Sequence, residues 1–194
     1  MQANKNPIYQ KINLKIKSAI LASFIIGGIS GYGTAAYWQV IPIQTSSPTI
    51  QVRFSPGGAC TAFTVQAIQA AKESILVQAY SFTAPEIINA LIAAHQRGIA
   101  VKILVDRSQL TARSSKVRQV LGAGIPIAID KVPGIAHNKI MIIDDDCVLT
   151  GSFNWTVAAE KRNAENLLLI KDMHINSIYR ENWEQRAMQA IAAQ

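Results

Sequence analysis

A chain of 194 residues, 49% of them apolar, has room for one domain with a real core plus a short appendage. Its formal charge of +7 is not by itself a nucleic-acid signature: Lys5, Lys11, Lys15 and Lys17 precede residue 18 without any acid, and from Arg53 onward fifteen Lys/Arg meet twelve Asp/Glu. Cys60 and Cys147 are the only cysteines, too few for a disulfide framework; two packed thiols are favoured over a single bond, and no Cys/His spacing suggests zinc.

The N-terminus reads as targeting. No charged residue occurs between Lys17 and Arg53, and residues 19–29 are an apolar stretch followed by the small residues Thr34-Ala35-Ala36. A basic region, an apolar region and small residues fit a secretory signal with a cleavage site. The uncharged run over residues 18–43 is also long enough to cross a bilayer core of roughly 30 Å, so an uncleaved anchor in the inner membrane is the rival reading. Either one exports the following domain to the periplasm or the exterior, because the lysines stay inside. The expected division is therefore residues 1–44, signal or anchor plus linker, and residues 45–194, the folded domain.

Residues 41–49 have linker composition, and beyond them strand and helix patterns alternate. Strands are expected at 50–54, 75–80, 101–105, 125–129 and 167–170. Helices are expected at 59–73, 85–97 with Gly98 as a stop, and 114–121. Residues 139–143 and 147–150 flank Asp144-Asp145-Asp146 as a hairpin. The last helix carries the stripe Ile175, Tyr179, Trp183, Ala187, Ile191 at intervals of four. Such alternation predicts an α/β domain, a mixed sheet between helical layers.

The chemistry concentrates after residue 136. His137, Lys139 and Asp144 form H-x-K-x4-D, followed by Gly151-Ser152-Phe153-Asn154 and by Glu165. On extended backbone, residues two apart share a face, so His137 projects with Lys139, and Ser152 with Asn154. A histidine can attack phosphorus and split one hard displacement into two easier ones. Lysine, serine and asparagine can donate to the non-bridging oxygens, and a carboxylate on the far imidazole nitrogen fixes its tautomer. Nothing in the set demands a metal or another cofactor. The three aspartates offer oxygen ligands, although acids at a hairpin tip are more commonly just solvated.

These residues resemble the signature of the phospholipase D superfamily, and most closely its small secreted bacterial endonucleases. Tyr80-Ser81-Phe82-Thr83-Ala84-Pro85, Arg97-Gly98 and residues 160–165 extend the resemblance over roughly residues 50–190. It implies an α/β fold with a mixed sheet between helices and a metal-independent phosphodiesterase. His137 would be the nucleophile that forms a phosphohistidine. Lys139, Ser152 and Asn154 would hold the phosphate, and Glu165 would orient the histidine. Asp144 belongs to the motif in a role more structural than catalytic. A second histidine is also implied, as acid toward the leaving oxygen. With one motif copy per chain, a homodimer would supply it; His95 and His174 are the alternatives within the chain.

Nucleic acid, DNA or RNA cut without sequence preference, is the expected substrate. Arg107, Arg113, Lys116 and Arg118 follow the strand ending near Asp106 without an intervening acid, with Lys161 and Arg162 as further candidates. The runner-up is a membrane-anchored hydrolase of cardiolipin or phosphatidyl lipids using the same residues. A non-catalytic nucleic-acid binder is disfavoured by the intact catalytic set.

Overall fold

Alternating apolar runs and helical stripes assemble into one eight-stranded mixed sheet in the computed structural model, which describes residues 47–193. The signal or anchor expected within residues 18–43 lies outside the described residues. The strands are β1 (Thr49–Ser55), β2 (Ser74–Ala79), β3 (Ala100–Val105), β4 (Ile127–Ile129), β5 (Lys139–Ile143), β6 (Cys147–Gly151), β7 (Glu165–Lys171) and β8 (Ile191–Ala192). Their order across the sheet is β1-β7-β6-β5-β2-β3-β4-β8. β2, β3 and β4 are parallel, and the remaining neighbours are antiparallel.

The helices are α1 (Cys60–Ala70), α2 (Pro85–Gln96), α3 (Val117–Gly122), α4 (Val157–Lys161) and α5 (Met173–Gln189). Strand periodicity sorts the core into two layers. Ile75, Val77, Ile103, Met141 and Leu149 pack with Ile68 of α1 and Ile87, Ile88 and Leu91 of α2. The alternate positions Leu76, Leu104, Ile140, Ile142 and Val148 pack with Trp183 of α5, whose indole N–H donates to the Val77 carbonyl at 3.0 Å. The sheet is thus covered on both faces, as the alternation predicts. α5 leaves the alternate residues of edge strand β1 bare: Ile50, Val52 and Phe54 are 57%, 43% and 62% exposed.

Departures from the expected boundaries have local causes. α1 stops at Ala70 because the backbone N–H groups of Lys72, Glu73 and Ser74 turn to the Asp144 carboxylate, at 2.9, 2.8 and 3.0 Å. β4 starts only after Pro126, which has no N–H for a ladder. The final stripe ends with Ala187: Ala190 is extended, and Ile191 leaves the helix to pair with Ile129 at the sheet edge. A 3-10 turn at Arg107–Leu110 and the five-residue α4 are too short to show a period. Both cysteines are buried free thiols, and burial pushes Cys147 up to about 11.

Register decides where function can sit. Ala79 pairs with both Val105 and Lys139, Gly151 with Leu167, and Ser55 with Glu165. The carboxyl ends of β1, β2, β3 and β6 therefore share one pole with the amino ends of β5 and β7. The opposite pole carries Ser74, Ala100, Ile143 and Cys147.

Candidate active site

His137 reaches the functional pole on the loop between β4 and β5, and three successive residues of that loop are tied down. The Ala136 N–H donates to Asp106 Oδ2 at 2.8 Å, Lys139 Nζ donates to the His137 carbonyl at 2.6 Å, and the Tyr80 N–H donates to the Asn138 carbonyl at 3.1 Å. The imidazole itself stays exposed. It meets the Tyr80 ring edge-on, centroids 4.5 Å apart and planes at 61°.

Lys139, the first residue of β5, is buried with its ammonium 5.0 Å from the Tyr80 ring centroid. Burial pulls its pKa below the usual lysine value, and the Glu165 carboxylate opposes that pull. Beyond β6, Phe153 and Trp155 are fully buried, while exposed Ser152 and half-buried Asn154 both line the cleft side. Ser152 Oγ accepts the Asn166 N–H at 3.1 Å, and Asn154 Oδ1 is buried without a partner. Gly151 passes so close to β7 that a Cβ there would collide with the Asn166 carbonyl. Glu165 opens β7 and accepts from Asn163 Nδ2 at 2.8 Å; among the described residues no hydrogen bond joins it to His137.

His137, Lys139, Gly151, Ser152, Asn154 and Glu165 line one cleft of about 360 Å³. A second hollow of about 430 Å³ shares His137, Lys139 and Gly151 and continues to Ile178, Tyr179 and Asn182 of α5. The first brings together an exposed imidazole, an ammonium, a hydroxyl and an amide. That set can supply a nucleophile and hydrogen-bond donors, the pairing that phosphoryl transfer uses.

Other candidates lie elsewhere. Asp144 is at the far end of β5, and its carboxylate is neither catalytic in position nor merely solvated. It takes a left-handed backbone (φ 47°) and binds the three N–H groups that lead into β2. Burial works to raise its pKa, yet those three hydrogen bonds and Lys72 hold it below the usual carboxylate value. Asp144→Asn is expected to cost about 1–3 kcal/mol, from backbone donors left unpaired, with turnover unchanged. Because the folded pKa is the lower one, this stability is present at neutral pH and fades on acidification below about pH 4. Urea unfolding at pH 7 and pH 3.5 measures both effects.

His95 lines a hollow with Gly98, Ala100 and Lys102 around the amino end of β3, and His174, the second residue of α5, follows Lys171 at the same far pole. Neither reaches the His137 cleft. Arg107 opens the 3-10 turn after β3, at the functional pole. Arg113 and Arg118 flank a separate cavity of about 520 Å³ with Thr111 and Ser115. Lys116 precedes α3, its N–H bound to the Phe82 carbonyl at 3.1 Å. None of the four lines the His137 cleft. Lys161 and Arg162 are exposed at the end of α4.

Two residues of the site escaped the motif. Tyr80 and Asp106 each lie one residue past a parallel strand, and that carboxyl edge is the signal that could have flagged them.

Known proteins share this architecture. A family model described as "Cardiolipin synthase, PLD-like domain" matches residues 64–187. A Rickettsia typhi protein named "Phospholipase D" is 49% identical over 143 residues, covering 74% of this chain and 70% of that one. The "Mitochondrial cardiolipin hydrolase" of Xenopus tropicalis is 32% identical over 114 residues, 59% of this chain and 54% of the relative. The crystal structure of Nuc from Salmonella typhimurium, a phospholipase D family member, superposes with a TM-score of 0.72 at 40% identity. It covers 76% of this chain and 99% of that one.

Proposed function

This chain belongs to the phospholipase D superfamily, and from that premise we propose that it is an exported, metal-independent endonuclease that works through a phosphohistidine on His137 and shares its site across a homodimer. The broader statement needs no proposal: members of the superfamily are phosphodiesterases, and this chain is an enzyme of that class.

The observation that carries the mechanism is the exposed His137 imidazole, fixed through its backbone and lining one cleft with Lys139, Ser152 and Asn154. An imidazole nitrogen attacks phosphorus; the P–N bond forms as the bond to the leaving oxygen breaks. Lys139, Ser152 and Asn154 stabilise the charge on the non-bridging oxygens. An acid protonates the leaving oxygen, then takes a proton from the water that attacks phosphorus and releases His137. Glu165 favours the charged ring through its field in the same cleft. His95 and His174 lie at the other pole, which favours the second copy's His137 as the acid. Exposed Ile135 and Val157, on the segments around the nucleophile and past Asn154, give that copy an apolar rim to cover.

A shared site has a simple arithmetic. Only dimers with two His137 residues hold both nucleophile and acid. Equal amounts of wild type and His137→Ala, left to exchange subunits, are therefore expected to give about a quarter of the undiluted activity rather than half. Activity linear in the wild-type fraction would exclude the shared site.

Nucleic acid is favoured by Arg107, Arg113, Lys116 and Arg118, which carry no acid among them around the carboxyl edge of β3. The lipid reading is favoured by relatives named for phospholipase D and cardiolipin hydrolase. It would keep the domain at its membrane through residues 18–43. The full-length chain in excess EDTA, given plasmid DNA, RNA and cardiolipin vesicles in parallel, tests both. Cutting of nucleic acid that falls steeply with salt is the expected result. Hydrolysis of vesicles alone would keep the chemistry and overturn the substrate, and dependence on added metal would overturn the mechanism.

A further inference from the structure

Asp106 is 2% exposed, one residue past β3, and thirty residues in sequence from the loop it holds. Its two carboxylate oxygens have different tasks. Oδ1 accepts the Ser108 N–H at 2.9 Å and caps the 3-10 turn, while Oδ2 accepts the Ala136 N–H at 2.8 Å. Capping alone is a task that serine, threonine or asparagine performs equally well. Burying a carboxylate is costly unless it is fully hydrogen-bonded, so the second acceptor is what suits aspartate to this position. Burial works to raise its pKa, but the Ser108 and Ala136 hydrogen bonds and Arg107 hold it below the ordinary carboxylate value, so it stays charged at neutral pH.

Its target is what gives the contact a functional meaning. Ala136 immediately precedes His137. The two other ties, from Lys139 to the His137 carbonyl and from Tyr80 to the Asn138 carbonyl, lie on the nucleophile's carboxyl side. Asp106 supplies the tie on the amino side. With all three, the backbone can carry the imidazole to the Tyr80 edge at 4.5 Å although the ring has no hydrogen bond of its own among the described residues.

We propose that Asp106 is a positioning residue: through its Oδ2–Ala136 hydrogen bond it sets where the His137 ring stands in the cleft. This rests on His137 being the nucleophile. A shift of about 1 Å in a reacting group costs on the order of a hundredfold in rate, so loss of one anchor is visible in turnover before it is visible in binding. Asp106→Asn keeps the size and the capping oxygen, but its amide nitrogen cannot accept from Ala136.

The test uses the full-length chain labelled with ¹⁵N-histidine, with bis(4-nitrophenyl) phosphate as substrate. Asp106→Asn is expected to lower kcat about 10- to 100-fold with KM within about twofold. It also moves the His137 ring-proton signals, displaced in the wild type by the Tyr80 ring, toward those of free histidine, while His95 and His174 keep theirs. The control is Asp144→Asn, which disturbs a carboxylate with three backbone partners at the far pole. It is expected to lower the melting temperature and leave the His137 signals in place. Wild-type His137 signals in Asp106→Asn would overturn the proposal whatever the rate, as would an equal displacement in Asp144→Asn. An inactive wild type would instead sink the functional reading, and the imidazole signals would still decide whether Asp106 positions the ring.

Discussion

His137→Ala is expected to lower phosphodiester cleavage by about 10⁴-fold or more, the scale seen when a covalent nucleophile is removed. The chain has no stand-in, because His95 and His174 lie at the far pole. Stability should move by no more than about 0.5 kcal/mol, since the ring is exposed where it meets Tyr80. Substrate affinity should also survive, because Arg107, Arg113, Lys116 and Arg118 are untouched. The loss therefore falls on kcat rather than KM. A substrate labelled at phosphorus adds a direct readout. Wild type quenched in mid-turnover should carry acid-labile label on the protein, and the variant none. Substantial cleavage by the variant, or label on another residue, would remove His137 from the mechanism.

How far the site was legible follows from the range of its contacts. His137 with Lys139, and Ser152 with Asn154, are pairs two apart, a spacing that extended backbone would turn to one face, and the four residues line one cleft. The structure adds that Phe153 and Trp155 are fully buried between and beyond the second pair, which leaves Ser152 and Asn154 on the cleft side. Glu165 was legible as a strand opening, but its neighbour was not. The Asn163 amide that holds its carboxylate belongs to a loop with no period to read.

Asp106 and Tyr80 show the opposite case. Their contacts to Ala136, Asn138 and His137 span dozens of residues and exist only because β2, β3 and β5 lie side by side. No local pattern encodes that adjacency. Asp144 looked like one of three equivalent acids at a hairpin tip. What distinguishes it is a left-handed turn that aims its carboxylate at the entry to β2, while Asp145 is left with an exposed pair to Arg180 at 3.3 Å. The helical stripe failed at Ile191 for a related reason. The period of four continued in the sequence, but β4 offered an open edge, and pairing with it took the last residues out of the helix. In each case a partner distant in sequence outweighed local propensity.

Lys139→Met is expected to reduce kcat/KM by about 10²- to 10³-fold, the range for removing one donor from a developing oxyanion. Methionine fills much the same volume, so the loss reports the ammonium rather than a cavity. The ammonium works twice, holding the His137 carbonyl at 2.6 Å and presenting its charge to the cleft. Arginine should not restore the rate, because its planar fork replaces the compact ammonium that here meets both the His137 carbonyl and the Tyr80 ring. The pH profile gives a second signature. Burial lowers the Lys139 pKa from 10.5, so the alkaline limb of kcat/KM should begin below the ordinary lysine range and vanish in Lys139→Met. Stability runs the other way over the same window. The unfolded chain holds this proton to higher pH than the folded one, so the lysine's contribution rises as pH climbs from its folded pKa toward 10.5. Falling activity with a fold that this residue does not weaken is the pattern of a charge buried for chemistry. A limb unchanged in Lys139→Met would assign it to another group.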